Sequence, residues 1–210
     1  MLEEGRCLLG RIVKSFILFF LFFIVLSSFK KDVTYFDKVL LFLEEFETLS
    51  AEFTQISSKG DIENGFLYIN KPLKLRVDYH KPVDQSIVSD GKKLAVIKKK
   101  IPDISIYKFN EIPFKVFLEK SFSLEDYSII KFNDKENKLM IHLKYKGNQG
   151  LGSIKIIFEK VPFILKKWII FDASNNITEI ALENVVVNRP LEPNLFKIID
   201  PRKIPFGRKD

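Results

Sequence analysis

The chain has 210 residues, with 34 Lys and Arg against 27 Asp and Glu and a formal net charge of +7. With 46% hydrophobic and 29% charged residues it can bury a substantial core, which excludes intrinsically disordered, collagen-like and coiled-coil classes. The single cysteine, Cys7, excludes an internal disulfide framework and a zinc site built on cysteines, since both need at least two thiols. The length suits one domain or two small ones.

The N-terminus has the pattern of a secretory signal peptide. Three basic residues precede an unbroken apolar run over residues 16–26, and the small residues Ser27 and Ser28 follow it. As a helix this run would span about 16 Å, well short of the roughly 30 Å hydrocarbon core of a membrane. The pattern predicts that residues 1–28 are a cleaved signal peptide rather than a permanent anchor, and that residues 29–210 are the exported domain. Export argues against nucleic acid as the partner of this basic chain. The positive charge then indicates either attraction to an anionic lipid surface or simply lysine-rich turns that face solvent.

A helix and then a series of strands are predicted along the exported part. Over residues 36–49 apolar side chains recur at steps of three and four, with charged side chains on the other side, which predicts one amphipathic helix. The apolar period then falls to two, which is typical of strands separated by turn sequences. The predicted strands lie around residues 51–53 and 65–69 and at 73–80, 84–89, 93–98, 103–109, 126–132, 138–145, 153–159, 165–172 and 177–187.

About eleven short strands with short connections define the predicted fold class. The connections are too short for parallel crossovers, so the sequence predicts an antiparallel meander that curls into a barrel or half-barrel. Residues 111–119 are the exception, because their apolar side chains are spaced as in a short helix whose first turn tolerates Pro113. No break rich in Pro, Gly or Ser divides the strands, which favours one domain.

No motif for catalysis, nucleotide binding or metal binding is present in the sequence. The glycines at 147–152 resemble phosphate-loop spacing, but Ser153 stands where that loop needs lysine. There is no G-x-S-x-G elbow, and His80 and His142 are interpreted as surface or barrel-wall residues. The sequence therefore predicts a protein that is not an enzyme and that holds no cofactor and no metal.

Several strands are apolar on both faces, for example at residues 154–158 and 168–171. One face of such a strand can pack against helices while the other lines a cavity. A plain two-layer core explains the same pattern equally well.

Three motifs follow one another in the first half of the exported chain. Residues 49–55 read LSAEFTQ, residues 65–82 read GFLYINKPLKLRVDYHKP and residues 87–94 read IVSDGKKL. Together they resemble the periplasmic outer-membrane lipoprotein carrier family, LolA, and residues 194–196 and 200–201 fit its C-terminal pattern more loosely. The resemblance covers roughly residues 36–201 and is specific in its first half.

The resemblance implies a fold, a function and partners. The fold would be mainly β, a half-open antiparallel β-barrel of about eleven strands capped by a helical lid. The function would be that of a periplasmic carrier that shelters the acyl chains of lipoproteins in an apolar cavity and shuttles them from the inner to the outer membrane. The implied partners are outer-membrane lipoproteins as cargo, an inner-membrane lipoprotein-releasing ABC transporter and an outer-membrane lipoprotein acceptor. We expect a monomer that binds no nucleic acid.

The resemblance also implies which residues line the cavity and which one closes it. The family's Arg at the end of the second strand holds the empty cavity closed by donating to carbonyls of the lid, and Lys71 stands at that position. A lysine can donate in the same way but lacks the planar fork of arginine, so Lys71 is the predicted lid latch, with a surface turn lysine as the alternative. Val77 stands where the family has an aromatic residue. The predicted acyl-binding residues, for which ordinary core positions are the alternative, are Leu67, Ile69, Leu75 and Val77 on strands and Leu43, Phe46, Phe114 and Phe117 in the lid.

Two other classes of function stay open on the sequence alone. One is an envelope protein of the same fold that senses lipids or lipoproteins, or acts as a scaffold, without transport. The other is an exported hydrolase whose catalytic residues are scattered along the chain.

Overall fold

The computed structural model describes residues 33–108, 114–147, 152–174 and 176–203. From Tyr35 onward the chain forms one compact unit. The predicted signal peptide lies outside the described residues, as do Ile112 and Pro113 of the predicted second helix. In the described ranges no helix is both long and apolar enough to cross a membrane.

One α-helix and eleven strands make up the described fold. The helix α1 spans Tyr35–Glu45, and short 3₁₀ turns lie at Lys115–Phe117, Pro193–Phe196 and Pro201–Lys203. The strands are β1 (Thr48–Ser57), β2 (Ile62–Asn70), β3 (Lys74–Tyr79), β4 (Gln85–Asp90), β5 (Leu94–Lys98), β6 (Asp103–Tyr107), β7 (Tyr127–Lys135), β8 (Lys138–Tyr145), β9 (Ser153–Lys160), β10 (Phe163–Phe171) and β11 (Ile177–Val187).

All eleven strands belong to one antiparallel sheet. Their order is β6-β5-β4-β3-β2-β1-β11-β10-β9-β8-β7, so the last strand returns to pair with the first. Strands β6 and β7 are the two edges, and no pairing joins them within the described residues. The sheet is therefore not closed, which confirms the predicted half-open antiparallel fold.

The predicted first helix is too long at its C-terminal end. The helix ends at Glu45, and Leu49 instead lies in β1, where it pairs with Ile69 of β2 and Val187 of β11. Strand pairing on both sides satisfies the backbone polar groups that another helical turn would satisfy locally, and it buries the Leu49 side chain completely. The helical spacing of the apolar residues cannot show this, because the two pairing partners are distant in the sequence.

The inward face of the sheet carries one continuous apolar core. Alternate residues of the strands point inward, and α1 adds the fully buried Val39 and Leu43. The Phe42 ring meets the Phe158 ring edge-on at 5.1 Å, and the Phe36 and Phe132 rings lie 5.0 Å apart. The helix thus covers the inward face of β7 to β10.

A smaller apolar cluster lies on the outer face of β4 and β5. Val88, Ala95 and Ile97 pack there against Ile198 of the C-terminal segment. The Arg76 guanidinium of β3 holds the same segment by donating from Nη1 to the Leu195 carbonyl at 3.0 Å. These strands are therefore apolar on both faces because one face packs the core and the other packs the chain terminus.

The IVSDGKKL motif builds the turn between β4 and β5. The Ser89 hydroxyl is fully buried, donates to the Leu73 carbonyl and accepts from the Gly91 N–H at 3.1 Å. Asp90 Oδ1 accepts from the N–H groups of Lys92 and Lys93 at 2.8 and 2.9 Å, and Gly91 has a φ of +93°. A side chain at Gly91 would strain this turn, so each residue of the Ser-Asp-Gly sequence has its own structural reason.

We expect Ser89→Ala to lower the free energy of unfolding by about 1–3 kcal/mol, because it leaves the Leu73 carbonyl without its side-chain donor. Urea unfolding followed by circular dichroism measures this. The matched control is Ser128→Ala on β7, where the serine is exposed and the change should stay within about 0.5 kcal/mol. Equal effects of the two substitutions would contradict a special role of the buried hydroxyl.

Candidate functional site

A small apolar cavity lies on the inward side of the curved sheet. Its volume is about 80 Å³. None of the lining residues is charged, and only three of them are polar: Gln55, Tyr79 and Thr178. The lining residues are Phe53, Gln55, Leu67, Val77, Tyr79, Ile87, Phe114, Trp168, Ile170, Thr178 and Ile180.

The eight predicted acyl-binding residues fall into two groups. Leu67, Val77 and Phe114 line the cavity. The other five, Ile69, Leu75, Leu43, Phe46 and Phe117, are buried in the continuous core beside it. The structure therefore brings all eight together on the inward side, but their part in binding acyl chains stays a prediction.

Several lining residues were not predicted from the sequence. Phe53 and Tyr79 share a face with Leu67 and Val77, so the strand alternation and the motifs could have indicated them. Trp168, Ile170 and Ile180 reach the cavity because β11 pairs with β1 and β10 pairs with β11. No local pattern reveals a pairing between the first and the last strand.

Gly65 makes room for two of the aromatic lining residues. It pairs with Phe53 across β1 and β2 and with Tyr79 across β2 and β3. The two rings meet edge to face over it, with centroids 5.2 Å apart. A Cβ atom at Gly65 would lie 1.9 Å from the backbone oxygen of Asp78, so this inward position accepts only glycine.

A hydrogen-bonded polar network lies at the end of the cavity near the β1–β2 turn. The Tyr79 hydroxyl donates to Gln55 Oε1 at 3.1 Å, and Gln55 Nε2 donates to Glu63 Oε2 at 3.0 Å. Burial and the Glu63 carboxylate together raise the pKa of Tyr79 to about 12, although the bond to Gln55 opposes this. Tyr79 is therefore a neutral donor at physiological pH, and Glu63 holds the negative charge of the network.

Lys71 lies at the opposite end of β2 and contacts α1. Its Nζ donates to the Leu43 carbonyl at 2.6 Å and stands 3.9 Å from the centroid of the Phe46 ring, while its backbone N–H donates to the Glu47 carbonyl at 2.8 Å. A cation is favoured there, because the last carbonyls of a helix lack partners within the helix. Lys71 thus donates to a carbonyl of α1, and its role as a lid latch stays a prediction.

Burial nonetheless makes the charged form of the Lys71 ammonium less favourable than it is in water. Burial lowers its pKa from 10.5 to about 8, and the carboxylates of Glu119 and Glu44 oppose this shift without cancelling it. The lysine therefore changes its charge in a range where an exposed lysine stays protonated.

The predicted second helix is a 3₁₀ turn over the residues described. The Lys115 ammonium lies 2.8 Å from Glu119 Oε1 and donates to the Tyr145 hydroxyl at 3.2 Å, and the Tyr127 hydroxyl donates to Glu119 Oε2 at 2.7 Å. The Leu73 N–H donates to the Leu118 carbonyl at 2.8 Å. These bonds fasten the segment 114–119 to the edge strand β7 on one side and to the start of β3 on the other.

The two histidines form no cluster of metal ligands. His80 Nδ1 lies 2.9 Å from Asn64 Oδ1, and His142 Nε2 lies 2.9 Å from Ser153 Oγ. Within the described parts of the chain, no group of three or more His, Cys, Asp or Glu side chains could hold a metal ion.

An open antiparallel sheet folded over an apolar cavity with no charged lining residue is compatible with the binding of apolar ligands. Residues 44–199 match the family model for the outer membrane lipoprotein carrier protein LolA. The chain therefore belongs to the LolA family, and this confirms the resemblance that the motifs carry.

Two similar proteins carry the name of this family. The chain is 27% identical over 180 residues to an outer-membrane lipoprotein carrier protein of Dechloromonas aromatica, which covers 79% of this chain and 83% of the relative. It is 26% identical over 174 residues to the protein of the same name from Methylococcus capsulatus, covering 76% and 81%. A crystal structure of a LolA superfamily protein from Nitrosomonas europaea aligns with 77% of this chain and 97% of its own, at 10% identity and a TM-score of 0.42.

We expect the Lys71 side chain to make stability depend on pH between about 8 and 10.5. The pKa of Lys71 is about 8 in the folded protein and 10.5 for an ordinary lysine. Over this range the folded state releases a proton that the unfolded state keeps, so the burial penalty is relieved and the free energy of unfolding rises with pH. Relative to Lys71→Met, the wild-type protein should gain on the order of 1 kcal/mol, after allowance for the partial exposure of the side chain.

Urea unfolding of both proteins at several pH values measures this difference. The contributions of the other titrating groups are common to both proteins and cancel when the two curves are subtracted. Lys59→Met, in the exposed β1–β2 turn, is the control and should follow the wild-type pH curve. Parallel curves for the wild type and Lys71→Met would contradict the prediction.

Proposed function

We propose that this protein is a periplasmic carrier that takes lipoproteins from the inner to the outer membrane with their acyl chains in the apolar cavity. The observation that carries the proposal is this cavity, lined by Leu67, Val77 and Phe114, in a member of the lipoprotein carrier family. The relatives named outer-membrane lipoprotein carrier proteins support the same role. An inner-membrane ABC transporter would load the carrier and an outer-membrane acceptor would unload it, and the carrier would act as a monomer.

The physical need for such a carrier follows from the cost of exposing acyl chains to water. At about 0.8 kcal/mol for each buried methylene, one sixteen-carbon chain costs on the order of 12 kcal/mol to leave in water. An unaided crossing of an aqueous compartment by two or three such chains would be far too slow. The carrier must offset most of this cost and still release its cargo, which requires an interior that can change its shape.

In this proposal the cavity opens when a ligand binds, because it is too small to hold an acyl chain as it stands. Its volume of about 80 Å³ is well below the roughly 300 Å³ at which pockets for drug-sized ligands begin. The elements that can withdraw are α1 and the segment 114–118, because each covers the inward face without belonging to the sheet. In this proposal Lys71 is the latch, since its bond to the Leu43 carbonyl must break when α1 moves away.

We expect Phe114→Glu to abolish a soluble complex with a lipoprotein, because a carboxylate would replace a half-buried ring of the cavity wall. The wild-type protein, isolated from the soluble envelope fraction and mixed with a purified triacylated lipoprotein without detergent, should give a one-to-one complex in native mass spectrometry. The control is Phe66→Glu, because Phe66 is 40% exposed on the outer face of β2 and the same substitution there should leave the complex intact.

Two results would separate the carrier from other functions. If the wild type forms no complex, even when vesicles containing the ABC transporter and ATP supply the lipoprotein, the carrier proposal fails. If it forms a complex but gives up no lipoprotein to outer-membrane vesicles, the protein is a sensor or scaffold rather than a carrier.

We propose also that residues 1–28 direct export and are then removed. The intact mass of the protein from the soluble envelope fraction should correspond to a chain that begins at Ser28 or Phe29. The full-length mass, found in the membrane fraction, would show instead that the segment is retained as an anchor.

A further inference from the structure

The cavity has one polar end, and the charge at that end is negative. Gln55 and Tyr79 line the cavity. Gln55 accepts a hydrogen bond from the Tyr79 hydroxyl and donates one from Nε2 to the half-buried carboxylate of Glu63. Gln55 and Glu63 pair directly across β1 and β2, and Gly65, two residues further along β2, pairs with Tyr79. Three adjacent strands therefore place one donor and one amide in the cavity wall and one carboxylate directly behind the amide.

The carboxylate of Glu63 has no cationic partner in the parts of the chain that the structure describes. None of the ion pairs there includes Glu63. Its one side-chain hydrogen bond uses Oε2, so the same bonding leaves Oε1 available to a further donor. Since an ionised carboxylate only accepts hydrogen bonds, it favours a ligand group that donates them, and most of all a cation.

We propose that Gln55, Glu63 and Tyr79 form a subsite for a cationic, hydrogen-bond-donating head group next to the acyl chains of a ligand. This inference rests on the proposed function and deepens it. A lipoprotein with two ester-linked chains and a free α-ammonium group on its N-terminal cysteine has this chemistry. A lipoprotein whose amino group carries a third, amide-linked chain does not. The protein therefore prefers the free amine over the N-acylated form, although it accepts the chains of both.

The orientation of the ligand follows from the same geometry. Glu63 lies near the β1–β2 turn, whereas Lys71 follows the other end of β2 beside α1. A head group bound at Glu63 directs its acyl chains along the apolar wall toward the lid. An ammonium group near Lys71 would instead meet a like charge.

The test compares two synthetic lipopeptides that differ only in this group. Both carry two palmitoyl chains on a glyceryl-cysteine and the same uncharged peptide; one has a free α-amine and the other an N-acetyl group, which removes the charge without adding a long chain. Displacement of a fluorescent fatty acid from the full protein at low salt gives both affinities. We expect the wild type to bind the free amine about three- to tenfold more tightly, as for a partly exposed charge pair.

Glu63→Gln keeps a side chain that can bond to Gln55 and removes the charge, so it should abolish the preference. Glu183→Gln is the matched control, because Glu183 is exposed on the neighbouring strand β11 and pairs with Glu52 rather than with a cavity residue. It should leave the preference unchanged. The preference of the wild type should also shrink as salt is raised from about 0.02 to 0.5 M, a measurement that needs no variant to fold.

The possible outcomes are distinct. Equal affinity of the wild type for the two lipopeptides, or a preference that survives in Glu63→Gln, overturns the subsite and leaves the carrier proposal standing. If neither lipopeptide displaces the fatty acid, the proposed function itself fails.

Discussion

The structure depends on one constraint, which is that an open sheet must cover its own apolar inward face. A closed barrel would bury this face against itself, but β6 and β7 do not pair within the described residues. The cover comes instead from α1 and from the segment 114–118, whose buried side chains belong to the same core as the strands. These elements are attached to the sheet by side chains and a few hydrogen bonds rather than by strand pairing, so their departure in the proposed carrier cycle would leave the strand pairing intact.

The motifs of the first half of the chain lie where strands contact one another and the elements packed on the sheet. Gly65 allows two aromatic rings to meet over β2, and Ser89 joins the β4–β5 turn to the backbone of Leu73. Leu73 in turn donates to Leu118 in the lid segment, and Arg76 holds the C-terminal segment on the outer face. Residues of these motifs thus contact both the segment 114–118 and the C-terminal segment.

Two charged groups, those of Lys71 and Glu63, lie at opposite ends of β2, and both are held by specific partners. The Lys71 ammonium is paired with a helix carbonyl and an aromatic ring, and burial makes its charge costly. The Glu63 carboxylate is fixed by Gln55 beside the cavity. In the proposed complex, the apolar wall between them would supply most of the binding energy for a chain of methylenes, and the polar ends would determine the orientation of the ligand.

Apolar alternation and turn residues are local signals, and they predict an antiparallel protein of about eleven strands that follow one amphipathic helix. The motifs also indicate the family, and through that resemblance they predict that Lys71 contacts a lid. The requirement for glycine is local at Gly91, whereas at Gly65 it comes from the backbone of Asp78 on the neighbouring strand. The end of the helix follows from strand pairing. Leu49 pairs with Ile69 of the next strand and with Val187 of the last strand, and the helical spacing of its neighbours contains neither contact. Only the tertiary structure decided that Trp168, Ile170 and Ile180 complete the cavity, and that Glu63 comes to Gln55 and Tyr79 at its polar end. The physical reason is the same in each case: which strands become neighbours is settled by burial of the whole inward face, and no short stretch of sequence contains that information.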